Sequence, residues 1–143
     1  MYIKQFSVFI ENTPGRLAEF TKLLAEHDID LIALTIADTT HFGIVRGLVN
    51  DYERAKEIIT AAGFTVRLTD VLAVAVPDTP GGLARIVTLL SAHNIGIEYL
   101  YSFVRRVGEN AVIVFRVEEL ERAIEVLREN DVRLLGQEEM RGL

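Results

Sequence analysis

The sequence predicts an α+β fold of two consecutive units, each with the element order βαββαβ. Three observations support this prediction: the chain contains an internal repeat, each copy alternates between strand and helix periodicity, and 50% of its 143 residues are hydrophobic. Two units of about 70 residues each are near the lower limit at which a single core is stable, so each needs this apolar content. We place the units at residues 1–69 and 70–143.

The repeat is clearest in a seven-residue segment that occurs twice. Residues 12–18 (NTPGRLA) recur as residues 78–84 (DTPGGLA), 66 positions later. Further along, residues 53–55 (ERA) recur as residues 121–123, 68 positions later. The second copy therefore carries two extra residues between these segments. We place them at residues 105–110, a hairpin tip that corresponds to residues 38–41, because hairpin tips tolerate insertions.

Each unit is predicted to begin with a strand that is followed by a helix. Apolar residues occupy every second position of residues 6–10 and 72–76, which is the period of a strand. Thr13 and Thr79 suit the N-cap of the following helix, with Pro14 and Pro80 at its first helical position. Apolar positions then recur at helical spacing: Leu17, Phe20 and Leu24, and Leu83, Ile86, Val87 and Leu90.

The rest of each unit predicts strand, strand, helix and strand. We expect second strands at residues 29–38 and 95–105, third strands at 42–49 and 111–117, and fourth strands at 64–68 and 132–135. The second helices present Ala55, Ile58, Ile59 and Ala62, and Leu120, Ala123, Ile124 and Leu127. One-sided apolar faces predict two layers, so each unit is ferredoxin-like, with an antiparallel sheet and its helices on one face. Thr69 and Asp70 form a very short linker.

Composition and motifs exclude several classes of function. The chain has no cysteine, which excludes disulfides, thiolate metal sites and a cysteine nucleophile. A net charge of −6 argues against binding to nucleic acid or an anionic membrane. No signal peptide or membrane-length apolar run is present, so we expect a cytoplasmic protein. The three histidines, His27, His41 and His93, are dispersed and do not predict a metal site. We expect no catalytic residue and no cofactor.

The two Thr-Pro-Gly loops are the strongest functional signal in the sequence. A strand that turns directly into a helix leaves backbone N–H groups at the helix start without intrahelical acceptors. Gly15 and Gly81 allow a ligand to approach such a loop closely. The positive end of the helix dipole favours an anion such as a carboxylate. A helix start with no ligand explains the same residues, so this pattern leaves both interpretations open.

The segments at 12–18 and 78–84, together with HDI at 27–29 and HNI at 93–95, resemble the ACT domain. The resemblance covers almost the whole chain, as two ACT units in tandem. It implies a regulatory module that binds a small molecule, most often an amino acid. It also implies units that pair side by side into an eight-stranded sheet. ACT units usually accompany a catalytic or DNA-binding domain, for which these 143 residues leave no room.

The resemblance implies a ligand at the junction of two units, against the loop between the first strand and the first helix. By position, the ligand-binding residues would be Asn12, Thr13, Pro14, Gly15, Arg16 and Leu17 in one loop, and Asp78, Thr79, Pro80, Gly81, Gly82 and Leu83 in the other. The start of the second strand would contribute less directly, through Asp28, Ile29, Asn94 and Ile95.

The two loops are expected to be inequivalent. Asn12 corresponds to Asp78, whose carboxylate suits a ligand ammonium group. Arg16 corresponds to Gly82, so the second loop would admit more ligand bulk. Arg16 itself would either bind a ligand carboxylate or be a solvated charge on the helix surface.

Three aromatic residues, Tyr99, Tyr101 and Phe103, alternate along the predicted second strand of the second unit. If Leu100 faces the helices, as its counterpart Leu34 would, the aromatic row faces away from them. Such a row predicts a partner surface, with a homodimer as the favoured partner. Packing of the row in the core is the alternative.

The sequence as a whole predicts a non-enzymatic regulatory or sensor protein that binds an amino acid where ACT units meet. One alternative is an interaction module that regulates a partner enzyme without a ligand. Another is a small enzyme on the same fold, whose chemistry would have to come from His27, His93, Arg16 or Asp78.

Overall fold

The computed structural model describes residues 2–38 and 41–143. Residues 4–69 form one compact unit and residues 70–143 belong to another. We refer to them as the first and second units. Thr39 and Thr40, part of the predicted hairpin tip, lie outside the described residues. In the part of the chain that is described, no helix combines the length and apolarity needed to cross a membrane.

The first unit has a sheet on one side and two helices on the other. Its strands are β1 (Ile3–Glu11), β2 (Leu31–Asp38) and β3 (Phe42–Val49), and its helices are α1 (Arg16–Glu26) and α2 (Tyr52–Ala61). β3 pairs antiparallel with both β1 and β2. The core between the layers includes Phe6, Val8, Ile10, Phe20, Leu24, Val45, Val49 and Ile59, as the periodicity predicts.

The second unit repeats this arrangement and extends it at the C-terminal end. It contains α3 (Gly82–Ala92), β5 (Ile97–Ser102), β6 (Asn110–Val117), α4 (Leu120–Glu129), β7 (Leu134–Leu135) and α5 (Gln137–Arg141). β6 pairs antiparallel with β5, and the strand β4 (Thr65–Pro77) pairs antiparallel with β6 and β7. The core includes Leu72, Val74, Ile86, Leu90, Phe115 and Leu127.

A single strand, β4 (Thr65–Pro77), carries the chain from the first unit into the second. It replaces the predicted fourth strand, the linker at Thr69 and Asp70, and the predicted strand at residues 72–76. No glycine or proline interrupts residues 65–76, so neither of the two residues that most strongly break a strand ends it there. The described residues therefore contain seven strands, where the sequence predicts eight.

The Thr-Pro-Gly segments form turns, and each helix begins after its glycine. Gly15 and Gly81 have φ of 93° and 88° and occupy the N-cap positions. In the second loop the Gly82 N–H donates to the Thr79 carbonyl at 3.0 Å, and the first loop repeats this bond at 3.4 Å. Proline followed by a positive-φ glycine is a type II turn. The prediction of Thr13 and Thr79 as N-caps is therefore wrong, because proline and glycine favour the turn over an immediate helix start.

Candidate functional site

Both Thr-Pro-Gly loops present an uncapped helix N-terminus. No side chain caps α1 or α3, within the residues described. The N–H groups of the first helical residues, Arg16 and Gly82, donate within the turns. The next two N–H groups of each helix have no intrahelical acceptor and are directed towards the loops. This is the arrangement expected for a ligand carboxylate, and it is equally compatible with solvation by water.

The first loop is tied to its own unit by polar contacts. The Asn12 side-chain amide donates to an Asp38 carboxylate oxygen at 2.9 Å, and the Asn12 N–H donates to the His41 carbonyl at 3.1 Å. Asn12 thus connects the loop to the β2–β3 connection.

Arg16 is held by three neighbours in the first unit. Its guanidinium donates to Glu19 at 2.8 Å, and its Nε lies 3.5 Å from a Glu11 carboxylate oxygen. The same group lies 4.6 Å from the centre of the Phe64 ring, a cation–π arrangement. The Arg16 side chain is only 28% exposed, so it is not the fully solvated charge that one of the two sequence-based alternatives expects.

The second loop borders a cavity of about 340 Å³. The cavity is lined by Pro77, Asp78, Thr79, Arg106, Glu109 and Asn110. Asp78 and Arg106 form an ion pair across it, with side chains that are 46% and 62% exposed. The loop and the β5–β6 connection thus contribute one cation and two carboxylates to a single concave surface.

Gly82 does not enlarge this site, contrary to the sequence-based expectation. It is buried, and a Cβ placed on it would lie 2.1 Å from the Pro77 carbonyl oxygen. The space that a side chain would take is occupied by backbone of the same unit. Glycine is required at position 82 because the Pro77 backbone lies too close to leave room for a Cβ.

The residues expected at the start of the second strand have a structural role at the helix ends. Asp28 and Asn94 have φ of 57° and 56°. The N–H groups of Ile29 and Ile95 donate back to carbonyls of the last helical turn, at 2.9 and 3.0 Å, which is the Schellman motif. Both isoleucines are buried in their cores.

The same helix end occurs where no ligand is expected. Gly63 and Asp131 have φ of 92° and 59°, and the residues that follow them donate back in the same way. Helix termination therefore accounts for Asp28 and Asn94 without a ligand.

The two equivalent histidines make equivalent local bonds. Nδ1 of His27 lies 2.9 Å from the Leu23 carbonyl, and Nδ1 of His93 lies 3.0 Å from the Leu89 carbonyl. Because a carbonyl only accepts, each Nδ1 donates, and the ring is fixed over the last helical turn. Among the described residues, no group of histidines and carboxylates has the geometry of a metal site.

The aromatic row of β5 is largely buried, so it does not form the exposed partner surface expected from the sequence. Tyr101 and Phe103 are 8% and 7% exposed. Leu100 lies opposite the core residue Phe115, which places it on the helix side as expected, yet it is 38% exposed because β5 is the last strand of its unit's sheet. Because Leu100 lies on the helix side, Tyr101 and its register partner Val114 lie on the opposite face of the sheet, where both are buried within the chain.

Sequence reasoning missed Arg106 and Glu109 as site residues. The repeat predicts only an insertion in a hairpin at residues 105–110. A signal for them is present in the sequence. Asn12 bonds to the β2–β3 connection of the first unit, and the equivalent connection of the second unit, residues 105–110, is longer and carries additional charged residues.

Comparisons with known proteins agree with this fold and with the repeat. A family model described as an ACT domain pair matches residues 1–143. The crystal structure of a protein from Bacteroides thetaiotaomicron is similar, with 41% identity and a TM-score of 0.93, covering 100% of this chain and 98% of that one. Among curated proteins, none matches this chain significantly.

Two more distant structures share the fold. The regulatory subunit of aspartate kinase from Thermus thermophilus is 18% identical with a TM-score of 0.62, covering 88% of this chain and 91% of that one. The regulatory subunit of aspartate kinase from Thermus flavus is 20% identical with a TM-score of 0.61, covering 87% and 88%.

Proposed function

Since the chain belongs to the ACT domain pair family, we propose that it is a regulatory protein, not an enzyme, that binds an amino acid. The observation that carries this proposal is the 340 Å³ cavity beside the second Thr-Pro-Gly loop. It coincides with the loop at which the family resemblance places a ligand, and its volume suits a small molecule. The distant neighbours named above are regulatory subunits, which is the role proposed here.

The second loop is the better candidate for the ligand position. Asp78 supplies a carboxylate that accepts hydrogen bonds from an ammonium group, and Thr79 lines the same cavity. Both loops have polar contacts of their own, Asn12 with Asp38 and Asp78 with Arg106, but the second loop also supplies a carboxylate to a cavity. We therefore assign the ligand to residues 78–83 and give residues 12–17 a mainly structural part.

Binding acts as a regulatory signal if it changes the population of two conformations. A ligand that contacts both the loop and the β5–β6 connection favours the conformation in which they are close. The shift is limited by the difference in affinity between the two conformations.

The test is isothermal titration of the whole chain with each of the twenty amino acids up to millimolar concentration, alongside thermal unfolding. We expect heat and a raised Tm for one amino acid or a chemically related few, because a ligand at 100 times its Kd stabilises the folded state by about 2.7 kcal/mol. The variant Asp78→Asn should bind that ligand at least tenfold more weakly. The absence of heat and of any Tm shift with all twenty would disprove the proposal.

We also propose that two copies of the chain associate through the face of the first unit's sheet that points away from its helices. Val8 and Ile10 lie in the core, so Phe9 between them points to the opposite face, where it is 45% exposed. Phe42, on the adjacent strand, is 52% exposed. Ile44 lies opposite Phe9 in register and connects the two into one apolar patch.

Charge complementarity favours a second copy as the occupant of this patch. Glu11 lies opposite Phe42 at one end, and Arg46 lies opposite Ser7 at the other. A two-fold axis near Ile44, parallel to the sheet and perpendicular to its strands, would bring the acidic end of one copy to the basic end of the other.

Sedimentation equilibrium tests this association. The wild-type chain should be dimeric at micromolar concentration, and Phe42→Ser should shift it to monomer. Val104→Ser, which removes an apolar side chain that is 79% exposed on the second unit, should leave the dimer intact. A wild-type monomer at 100 µM would exclude this interface.

A further inference from the structure

Each unit joins its Thr-Pro-Gly loop to its following hairpin connection, but the two units do so with different charges. In the first unit the neutral Asn12 donates to Asp38. In the second unit the loop residue is the anion Asp78, and it pairs with the cation Arg106. The cation belongs to residues 105–110, where the second copy is two residues longer.

The connection that carries Arg106 is structured at its tip. Val107 and Asn110 exchange backbone hydrogen bonds of 3.1 and 3.0 Å, which leaves Gly108 and Glu109 as the two central residues of a tight turn. Gly108 has φ of 60°, as such a two-residue turn requires. Arg106 and Glu109 are therefore presented to the cavity from a defined hairpin end.

On the basis of the proposed function, we propose that Arg106 and Glu109 determine which ligand the second loop accepts. Asp78 and Arg106 provide one group of each sign, which the ammonium and the carboxylate of an amino acid can contact. A zwitterionic ligand separates this ion pair, with the ligand ammonium bound by Asp78 and the ligand carboxylate by Arg106. One ion pair is exchanged for two, and guanidinium binds a carboxylate in bidentate geometry.

Separation of the ion pair costs little because both side chains are about half exposed. Solvent screens such pairs strongly, so their net contribution to stability is small. A ligand that fills the cavity displaces water, which lowers the local dielectric constant. Its attraction to Asp78 and Arg106 is then stronger than the attraction between these two side chains in the solvated pair. The pair thus does not oppose ligand binding strongly.

The balance of charge in the cavity identifies the ligand class. Its lining holds one cation, Arg106, and two anions, Asp78 and Glu109, a net charge of −1. A neutral zwitterion uses Arg106 and Asp78 and leaves Glu109 without a counterpart. A ligand with an additional positive charge supplies that counterpart, so the site should prefer a basic α-amino acid, with its side-chain cation directed to Glu109.

Three probes separate the contribution of the ligand's side-chain ammonium from that of its carboxylate. They are L-lysine, L-norleucine, which has a methyl group in place of the side-chain ammonium, and 1,5-diaminopentane, which lacks the carboxylate. By isothermal titration, the wild-type chain should bind lysine at least tenfold more tightly than either of the others. Arg106→Gln should weaken lysine and norleucine alike by at least tenfold. Glu109→Gln should weaken lysine by at least tenfold and leave norleucine unchanged, which removes the preference.

Arg122→Gln is the matched control, because Arg122 also forms an exposed ion pair, with Glu119 at the start of α4, and does not line the cavity. It should leave all three affinities unchanged, and thermal unfolding of each variant verifies its folding. If another amino acid binds but lysine does not, or if Arg106→Gln leaves binding intact, this inference is overturned and the proposed function stands. If none of the twenty amino acids binds, both fail.

Discussion

Gly82, the first residue of α3, lies so close to the Pro77 carbonyl oxygen that a Cβ on Gly82 would be 2.1 Å from it. The contact is with backbone, which cannot rotate away as a side chain would. It joins the end of β4 to the start of α3 and thereby fixes the second Thr-Pro-Gly loop between them.

We predict that Gly82→Ala lowers the free energy of unfolding by about 1–3 kcal/mol, the usual cost of overpacking. Gly142→Ala is the control, because its Cβ would be 3.6 Å from the Glu139 carbonyl oxygen, an ordinary contact. Its effect should stay within about 0.5 kcal/mol. Urea denaturation of both variants measures the difference, and equal stabilities would show that β4 and α3 separate easily.

The left-handed residue at the end of α3 provides a second prediction. Asn94 has φ of 56°, so Asn94→Ala should destabilise the chain by about 1 kcal/mol, whereas Asn94→Gly should be neutral or stabilising. Ala92→Gly, within the last helical turn, should instead cost about 0.5–1 kcal/mol. Chemical denaturation distinguishes these cases. A large loss of amino-acid affinity in a stable Asn94→Gly variant would assign Asn94 to the ligand rather than to the helix end.

Arg16 is predicted to stabilise the first unit by packing and ion pairing. Arg16→Ala should lower the free energy of unfolding by about 1 kcal/mol, because it removes the contact with Phe64 and the pairing with Glu19. Lys56→Ala, at an exposed site on α2, should change it by less than about 0.5 kcal/mol. Thermal unfolding provides the comparison. If Arg16→Ala instead preserved stability and abolished amino-acid binding, the first loop would be the ligand site.

The order of elements was predictable because each copy of the repeat has one-sided apolar periodicity, and the structure confirms this order in both units. The cores follow the same residues, such as Phe20 and Ile86. The helix starts were predicted two residues too early, since Pro14 is compatible with both a first helical turn and a type II turn. Only the conformation of Gly15 decides between them.

Other features depend on contacts between distant parts of the sequence. The pairing of Asp78 with Arg106 bridges 28 positions, and single-sequence periodicity contains no information about it. The helix α5 is five residues long, too short for a helical period to be recognised. Its residue Met140 is nonetheless fully buried, so the C-terminal end contributes to the core of the chain.

The burial of β5 provides the last prediction. Tyr101 is 8% exposed and its register partner Val114 is fully buried, so Tyr101→Ala should lower the free energy of unfolding by about 3 kcal/mol or more. Leu100→Ala, next to it on the same strand but 38% exposed, should cost markedly less. Urea denaturation measures stability and sedimentation measures assembly. A Tyr101→Ala variant with wild-type stability and an altered oligomeric state would restore the aromatic row as a partner surface, whereas loss of stability at unchanged assembly identifies it as core.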